Sequence, residues 1–103
     1  RKRWISSHVK PLGSLIIDEG AVKALQSGKS LLPAGVVKVS GEFAHSDPIE
    51  VFDKDTHTLA MGLASYSGDE ARLIIGHKSG EISDVLGYSR GDELIHRDNL
   101  VLS

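Results

Sequence analysis

Short apolar runs rich in β-branched residues recur along the whole chain, and a turn signal cuts each one off within a few residues. Residues 15–18, Leu-Ile-Ile-Asp, open the series. Val36-Val37-Lys38-Val39 starts after Gly35 and stops at Ser40-Gly41, and Ile49-Glu50-Val51-Phe52 follows the turn Ser46-Asp47-Pro48. The polar stretch 53–57 then predicts a hairpin between that strand and the next, residues 58–66. In this next strand Leu59, Met61 and Leu63 share one face. Ala60, Gly62 and Ala64 share the other, where small side chains allow a bulge or the close approach of a neighbouring element. The last segment, 94–102, reads as a strand broken at Arg97-Asp98-Asn99. Consecutive short strands of this kind favour a barrel or sandwich over a parallel α/β sheet.

Short helices interrupt the strands. Asp18 can cap one over Glu19–Gln26, with Ala21, Val22 and Leu25 inward, Lys23 and Gln26 outward, and Gly28 as the stop. Leu31 and Leu32 are both expected to anchor the following loop, residues 29–35, to the core. Ser67-Gly68-Asp69-Glu70 has the spacing of a capping box, so a second helix should run to about Ile75 and stop at Gly76. Ser79 is placed to cap a third, with Ile82, Val85 and Leu86 inward and Gly87 at its end. The expected fold class is mainly β with short α-helices and five or six strands.

A chain of 103 residues supports one domain with one modest core. It contains no cysteine, which excludes disulfides and thiolate metal sites and fits a cytoplasmic, reducing setting. No apolar run approaches the roughly 20 residues of a spanning helix, so no membrane partner is expected. The net charge of −2 lowers the expectation of strong nucleic-acid binding without excluding a local basic patch. The chain opens on Arg1-Lys2-Arg3-Trp4, without a signal-peptide pattern. It reads as a single domain over residues 1–103, a piece of a longer protein in which residues 1–7 form the linker from an upstream domain.

No catalytic centre can be assembled from these residues, and neither a metal site nor a cofactor of its own is expected. Gly28-Lys29-Ser30 mimics the end of a phosphate-binding loop, but Lys23 stands where the motif needs glycine, and the segment follows a helix rather than a strand. His8, His45, His57, His77 and His96 contain no local ligand pair, and no Gly-x-Ser-x-Gly elbow occurs. Asp69-Glu70 and Asp92-Glu93 read as solvated neighbours, and Arg90-Gly91-Asp92, a cell-adhesion tripeptide, as loop composition. One polar cluster remains: Lys23, Lys29 and Ser30 on the first helix and its following loop, joined by Lys38 and Arg97 if their strands lie close. Such a group can hold an RNA phosphate backbone through point charges and loop amides. Ordinary solvated lysines are the plainer account, and an aromatic content of 5% leaves little for base stacking.

The stretches Gly13-Ser14-Leu15-Ile16-Ile17-Asp18-Glu19-Gly20-Ala21 and Gly28-Lys29-Ser30-Leu31-Leu32-Pro33-Ala34-Gly35-Val36 resemble the PUA domain, an RNA-associated module. Lys2-Arg3-Trp4-Ile5 and Ile95-His96-Arg97-Asp98-Asn99-Leu100-Val101-Leu102 narrow the resemblance to the PUA domain that ends bacterial glutamate 5-kinases. The resemblance covers essentially the whole chain and implies a pseudo-barrel of mixed strands. It also implies an upstream kinase domain that uses ATP and Mg to phosphorylate the side-chain carboxylate of glutamate in proline biosynthesis, within a homo-oligomeric, proline-inhibited, cytoplasmic parent. The module itself would be accessory or regulatory, packing on that kinase domain, and RNA binding through the first helix and its loop is the alternative. Two positions depart from the family pattern. Ser46 stands where glycine is usual, and Asp55-Thr56-His57 replaces an Asp-Gly hairpin tip.

Overall fold

Alternation along the strands decides what the sheet buries. The computed structural model describes residues 10–102; the predicted linker over residues 1–7 and His8 lie outside them. Strand β1 (Gly13–Ile17) buries Leu15 and Ile17 and leaves Ser14 and Ile16 half-exposed. β2 (Val36–Gly41) buries Val36 and Val39, β3 (Pro48–Phe52) buries Ile49 and Val51, and β4 (Thr58–Leu63) buries Ala60 and Gly62. β5 (Leu100–Leu102) buries only Leu100. The strands form one sheet in the order β2-β1-β3-β4-β5. β1 and β3 run parallel and the other pairs antiparallel. The parallel pair follows from the chain path: a crossover carrying helix α1 (Glu19–Gln26) and β2 lies between β1 and β3.

The expected pseudo-barrel of mixed strands is present, as one sheet that does not close into a barrel. Among the described residues there are five strands, and β2 and β5 stand at the two edges. The first half of the predicted last strand contributes only a single bridge, Leu31 opposite Ile95. A 3₁₀ turn at Arg97–Asn99 then redirects the chain into β5. The small-residue face of β4 is the buried one. A Cβ at Gly62 would lie 2.6 Å from Ile95 Cγ2 and 2.7 Å from the Asn99 carbonyl oxygen, so the absence of a side chain lets the terminal segment settle on the sheet.

The helices follow their capping signals, with one exception. Asp18 Oδ1 accepts the Ala21 amide at 2.8 Å and starts α1. Helix α2 (Gly68–Ile74) carries the full capping box: Ser67 N–H donates to Glu70 Oε1 at 2.8 Å and Glu70 N–H to Ser67 Oγ at 3.1 Å. α2 is tied alongside the β2 edge at both ends, since Gly68 N–H donates to the Phe43 carbonyl and Gly76 N–H to the Pro33 carbonyl. Ser79 does not cap the third helix. Its hydroxyl donates to the Asp92 carbonyl at 2.9 Å, while Lys78 N–H donates to Glu81 Oε1 at 2.9 Å and opens the Ser79–Glu81 turn that leads into α3 (Ile82–Leu86).

Two further expectations meet the backbone differently. Leu31 is buried as predicted, but Leu32 is 45% exposed, because the loop pairs with Ile95 through Leu31 and turns the next side chain outward. Among the described residues, Ser46 (φ 75°) and Thr56 (φ 66°) are the non-glycine residues with positive φ. Both lie in the turns where the sequence departs from the resembled pattern, and both hold a left-handed conformation that favours glycine.

Candidate functional site

The end of α1 sets up the site. Gly28 (φ 81°) closes the helix with both hydrogen bonds of a Schellman motif, Gly28 N–H to the Leu25 carbonyl and Lys29 N–H to the Ala24 carbonyl, each 3.0 Å. Lys29 therefore leaves the helix at its C-terminal end, where a cation is favoured by the helix dipole. The next residues close onto the terminal segment. Ser30 Oγ accepts the Arg97 amide at 2.8 Å, Leu31 N–H donates to the Ile95 carbonyl at 3.0 Å, and Leu94 N–H to the Leu31 carbonyl at 2.7 Å.

This pairing divides the five residues singled out above. Lys29 and Arg97 line one shallow cleft with Gly28, Leu25, Leu100 and Leu102, and Ser30 links their backbones. Lys29 and Ser30 also border a groove of about 420 Å³ between α1 and the loop, floored by Ala21, Ala24, Leu31 and Gly35. Lys23 belongs elsewhere. It lines a groove of about 690 Å³ with Glu19, Asp53, Lys54 and Asp55, a neighbourhood of mixed charge. Lys38 is exposed on the β2 edge strand, opposite Ile16, and lines none of these clefts. Among the described residues neither Lys29 nor Arg97 makes an ion pair.

Two other polar clusters escaped sequence reasoning. At the β3–β4 hairpin tip, ligand-type atoms of Asp53, Asp55 and His57 lie within 4.8 Å of one another. The Asp53 carboxylate already accepts the amides of His57 and Asp55, each at 2.9 Å, and meets His57 Nδ1 at 3.0 Å. The His57 amide is the main reason its carboxyl sits below the ordinary range. These bonds account for the cluster as a turn. An alternating Asp-x-Asp-x-His pattern was its only sequence signal.

The second cluster surrounds Tyr66, which is fully buried. Its hydroxyl donates to the Gly91 carbonyl at 2.6 Å and accepts the Arg90 amide at 2.8 Å. The Arg90 guanidinium lies over the Tyr88 ring, 5.5 Å from its centre, and its Nε donates to Glu70 Oε2 at 3.2 Å. The Tyr88 hydroxyl donates to the same oxygen. Burial pulls the Glu70 carboxyl upward, but hydrogen bonds from Tyr88, the Ser67 amide and Arg90 outweigh it and hold the group below its ordinary 4.5. Arg90-Gly91-Asp92 is thus engaged within the domain: Arg90 on Glu70, and the Gly91 and Asp92 carbonyls on Tyr66 and Ser79.

Comparison with known proteins agrees with this architecture. A family model described as PUA domain matches residues 13–86. Over 102 residues the chain is 51% identical to the glutamate 5-kinase of Paramagnetospirillum magneticum, an alignment that covers 99% of this chain and 28% of that protein. It is 50% identical to the glutamate 5-kinase of Brucella anthropi over 98% of this chain and 27% of that one. The chain therefore spans just over a quarter of the length of these curated relatives. Among solved structures, a PUA domain from Aeropyrum pernix K1 superposes with a TM-score of 0.62 at 22% identity, covering 82% of this chain and 41% of that one. The archaeal box H/ACA sRNP Nop10-Cbf5 complex matches with a TM-score of 0.56 at 27% identity, over 58% of this chain and 19% of that one. No helix among the described residues is long and apolar enough to cross a membrane. Matched over most of its length by the family model and superposing on a solved PUA domain, the chain belongs to the PUA domain family.

Proposed function

We propose that this chain is the non-catalytic accessory domain of a glutamate 5-kinase, in which an upstream domain uses ATP and Mg to phosphorylate the side-chain carboxylate of glutamate. Residues 1–7 join the two parts, the parent is a cytoplasmic homo-oligomer, and the domain tunes activity by packing on the kinase domain or a neighbouring subunit. One observation carries the reading: identity of 50% or more to glutamate 5-kinases runs across 98–99% of the chain, beyond the 13–86 span matched by the general family model. The test compares the parent kinase with and without residues 1–103. A changed turnover, proline response or oligomer size supports the regulatory role, and identical values for all three remove it.

A second reading, binding to RNA, has its own support. The Ser30–Arg97 hydrogen bond gathers two cations, Lys29 and Arg97, that make no ion pair among the described residues. A neighbour above 25% identity comes from an sRNP complex. Lys23 and Lys38 contribute at most long-range charge to such a cleft, since they stand apart from it. Titration with a structured RNA hairpin is decisive at low salt, where the phosphate contribution is largest. Failure to bind there sinks this reading.

A further inference from the structure

The side chain of His96 caps the Arg97–Asn99 turn: its Nδ1 accepts the Asp98 amide at 3.1 Å. A ring nitrogen that accepts carries no proton, so the turn requires a neutral imidazole protonated on Nε2. The Asp98 carboxylate stands 3.6 Å from the same Nδ1. Protonation would set two N–H donors against each other and offer the imidazolium a charged acceptor close by. The backbone held by this cap is the backbone that presents Arg97. Within one turn the Arg97 amide donates to Ser30 Oγ at 2.8 Å, the Asn99 amide donates to the His96 carbonyl at 2.8 Å, and the Asn99 carbonyl rests against Gly62.

We propose that His96 is a protonation-controlled cap that positions Arg97 beside Lys29. Neutral His96 fixes the Arg97–Asn99 turn. As an imidazolium it releases the Asp98 amide, turns to the Asp98 carboxylate, and loosens Arg97 from the cleft. β4 and β5 carry no ionisable side chain, the loop after α1 brings Lys29, and the terminal segment itself brings Glu93, Arg97 and Asp98. Imidazoles change charge between about pH 5 and 8, whereas carboxyl, lysine and arginine side chains ordinarily do not. The ring is about half-exposed and so in exchange with solvent protons. Any effect on polyanion binding rests on the second reading above; the turn itself does not.

The experiment is an amide NMR titration of the 103-residue chain from pH 8 to 5, beside His96→Asn, whose side-chain oxygen can accept the amide without titrating, and His96→Ala, which cannot accept at all. In the wild type the Arg97, Asp98 and Asn99 amides should shift together with one midpoint. Protection of the Asp98 amide, corrected for intrinsic exchange, should fall about fivefold, the scale of a lost cap. His96→Asn should stay protected across the range and His96→Ala unprotected throughout. Flat Asp98 shifts in the wild type, or a titration that persists in His96→Asn, overturn the proposal. A parallel titration with an RNA hairpin at pH 7.5 and 5.5 separates the two ideas. RNA that binds at neither pH removes the polyanion reading and leaves the cap to be decided by the NMR result.

Discussion

The Tyr66–Glu70–Arg90 corner and the Lys29–Arg97 cleft are both polar and both join segments distant in sequence, yet they are built to opposite rules. In the corner every charged group has a partner. Glu70 serves the Ser67 amide, Tyr88 and Arg90 at once, and the buried Tyr66 hydroxyl joins the Arg90 amide to the Gly91 carbonyl. In the cleft the backbone is satisfied, through the Schellman bonds and the Ser30–Arg97 bond, but the Lys29 and Arg97 side chains carry no counter-charge among the described residues. Saturated networks hold a fold in place. Cations left unpaired on a fixed backbone can meet a ligand at little reorganisation cost.

The largest effect should come from breaking the corner. Tyr66→Phe leaves the Arg90 amide without its partner and the Gly91 carbonyl with only the long Ser89 hydroxyl contact, and should cost about 2 kcal/mol in urea unfolding at unchanged m. RNA affinity should not follow it; a parallel loss of both would erase the distinction between the two regions.

Glu70→Gln sharpens the same comparison through pH. Glu70 is held below its ordinary 4.5 in the folded chain, so its contribution is complete above that value and is lost as pH falls through the lowered one. The stability gap between wild type and Glu70→Gln, about 1 kcal/mol near neutrality as for a helix cap, should therefore close as the pH falls below 4.5. A gap that stays constant over that range would contradict the network described for this carboxylate.

A site distant from both calibrates the scale. Thr56 is β-branched at φ 66°, so Thr56→Gly should stabilise the domain by about 1 kcal/mol, read as a raised urea midpoint. The smallest effect on stability belongs to the cleft. Lys29→Ala and Arg97→Ala should change the unfolding free energy by under about 0.5 kcal/mol. If the cleft holds RNA, each should lower affinity across sequences and reduce the salt slope by about 1. Lys23→Ala and Lys38→Ala are the controls: equal losses from all four would mean diffuse attraction rather than a cleft.

Much of this could be read without the structure. Asp18, Gly28, Ser67 and Glu70 announce two helices correctly, and the small face of β4 is legible from Ala60, Gly62 and Ala64, because each signal acts within four residues of itself. Leu31 and Leu32 were not separable, since only the bridge to Ile95 turns one inward and the other out. Ser79 looked like a cap until its hydroxyl met the Asp92 carbonyl, a partner beyond any local pattern.

The amino-acid order thus determined most of the elements and the caps at Asp18, Gly28, Ser67 and Glu70, which depend on short-range sterics and hydrogen bonds, and it carried the family resemblance; the left-handed turns at Ser46 and Thr56 came from the structure. Which of the five polar residues share a cleft was decided only in three dimensions. Ser30 and Arg97 are separated by most of the chain, and their meeting requires the sheet to bring both segments to one end of α1. Lys23, a single helical turn from Lys29's end of α1, points into another groove, because a helix distributes its side chains around its axis.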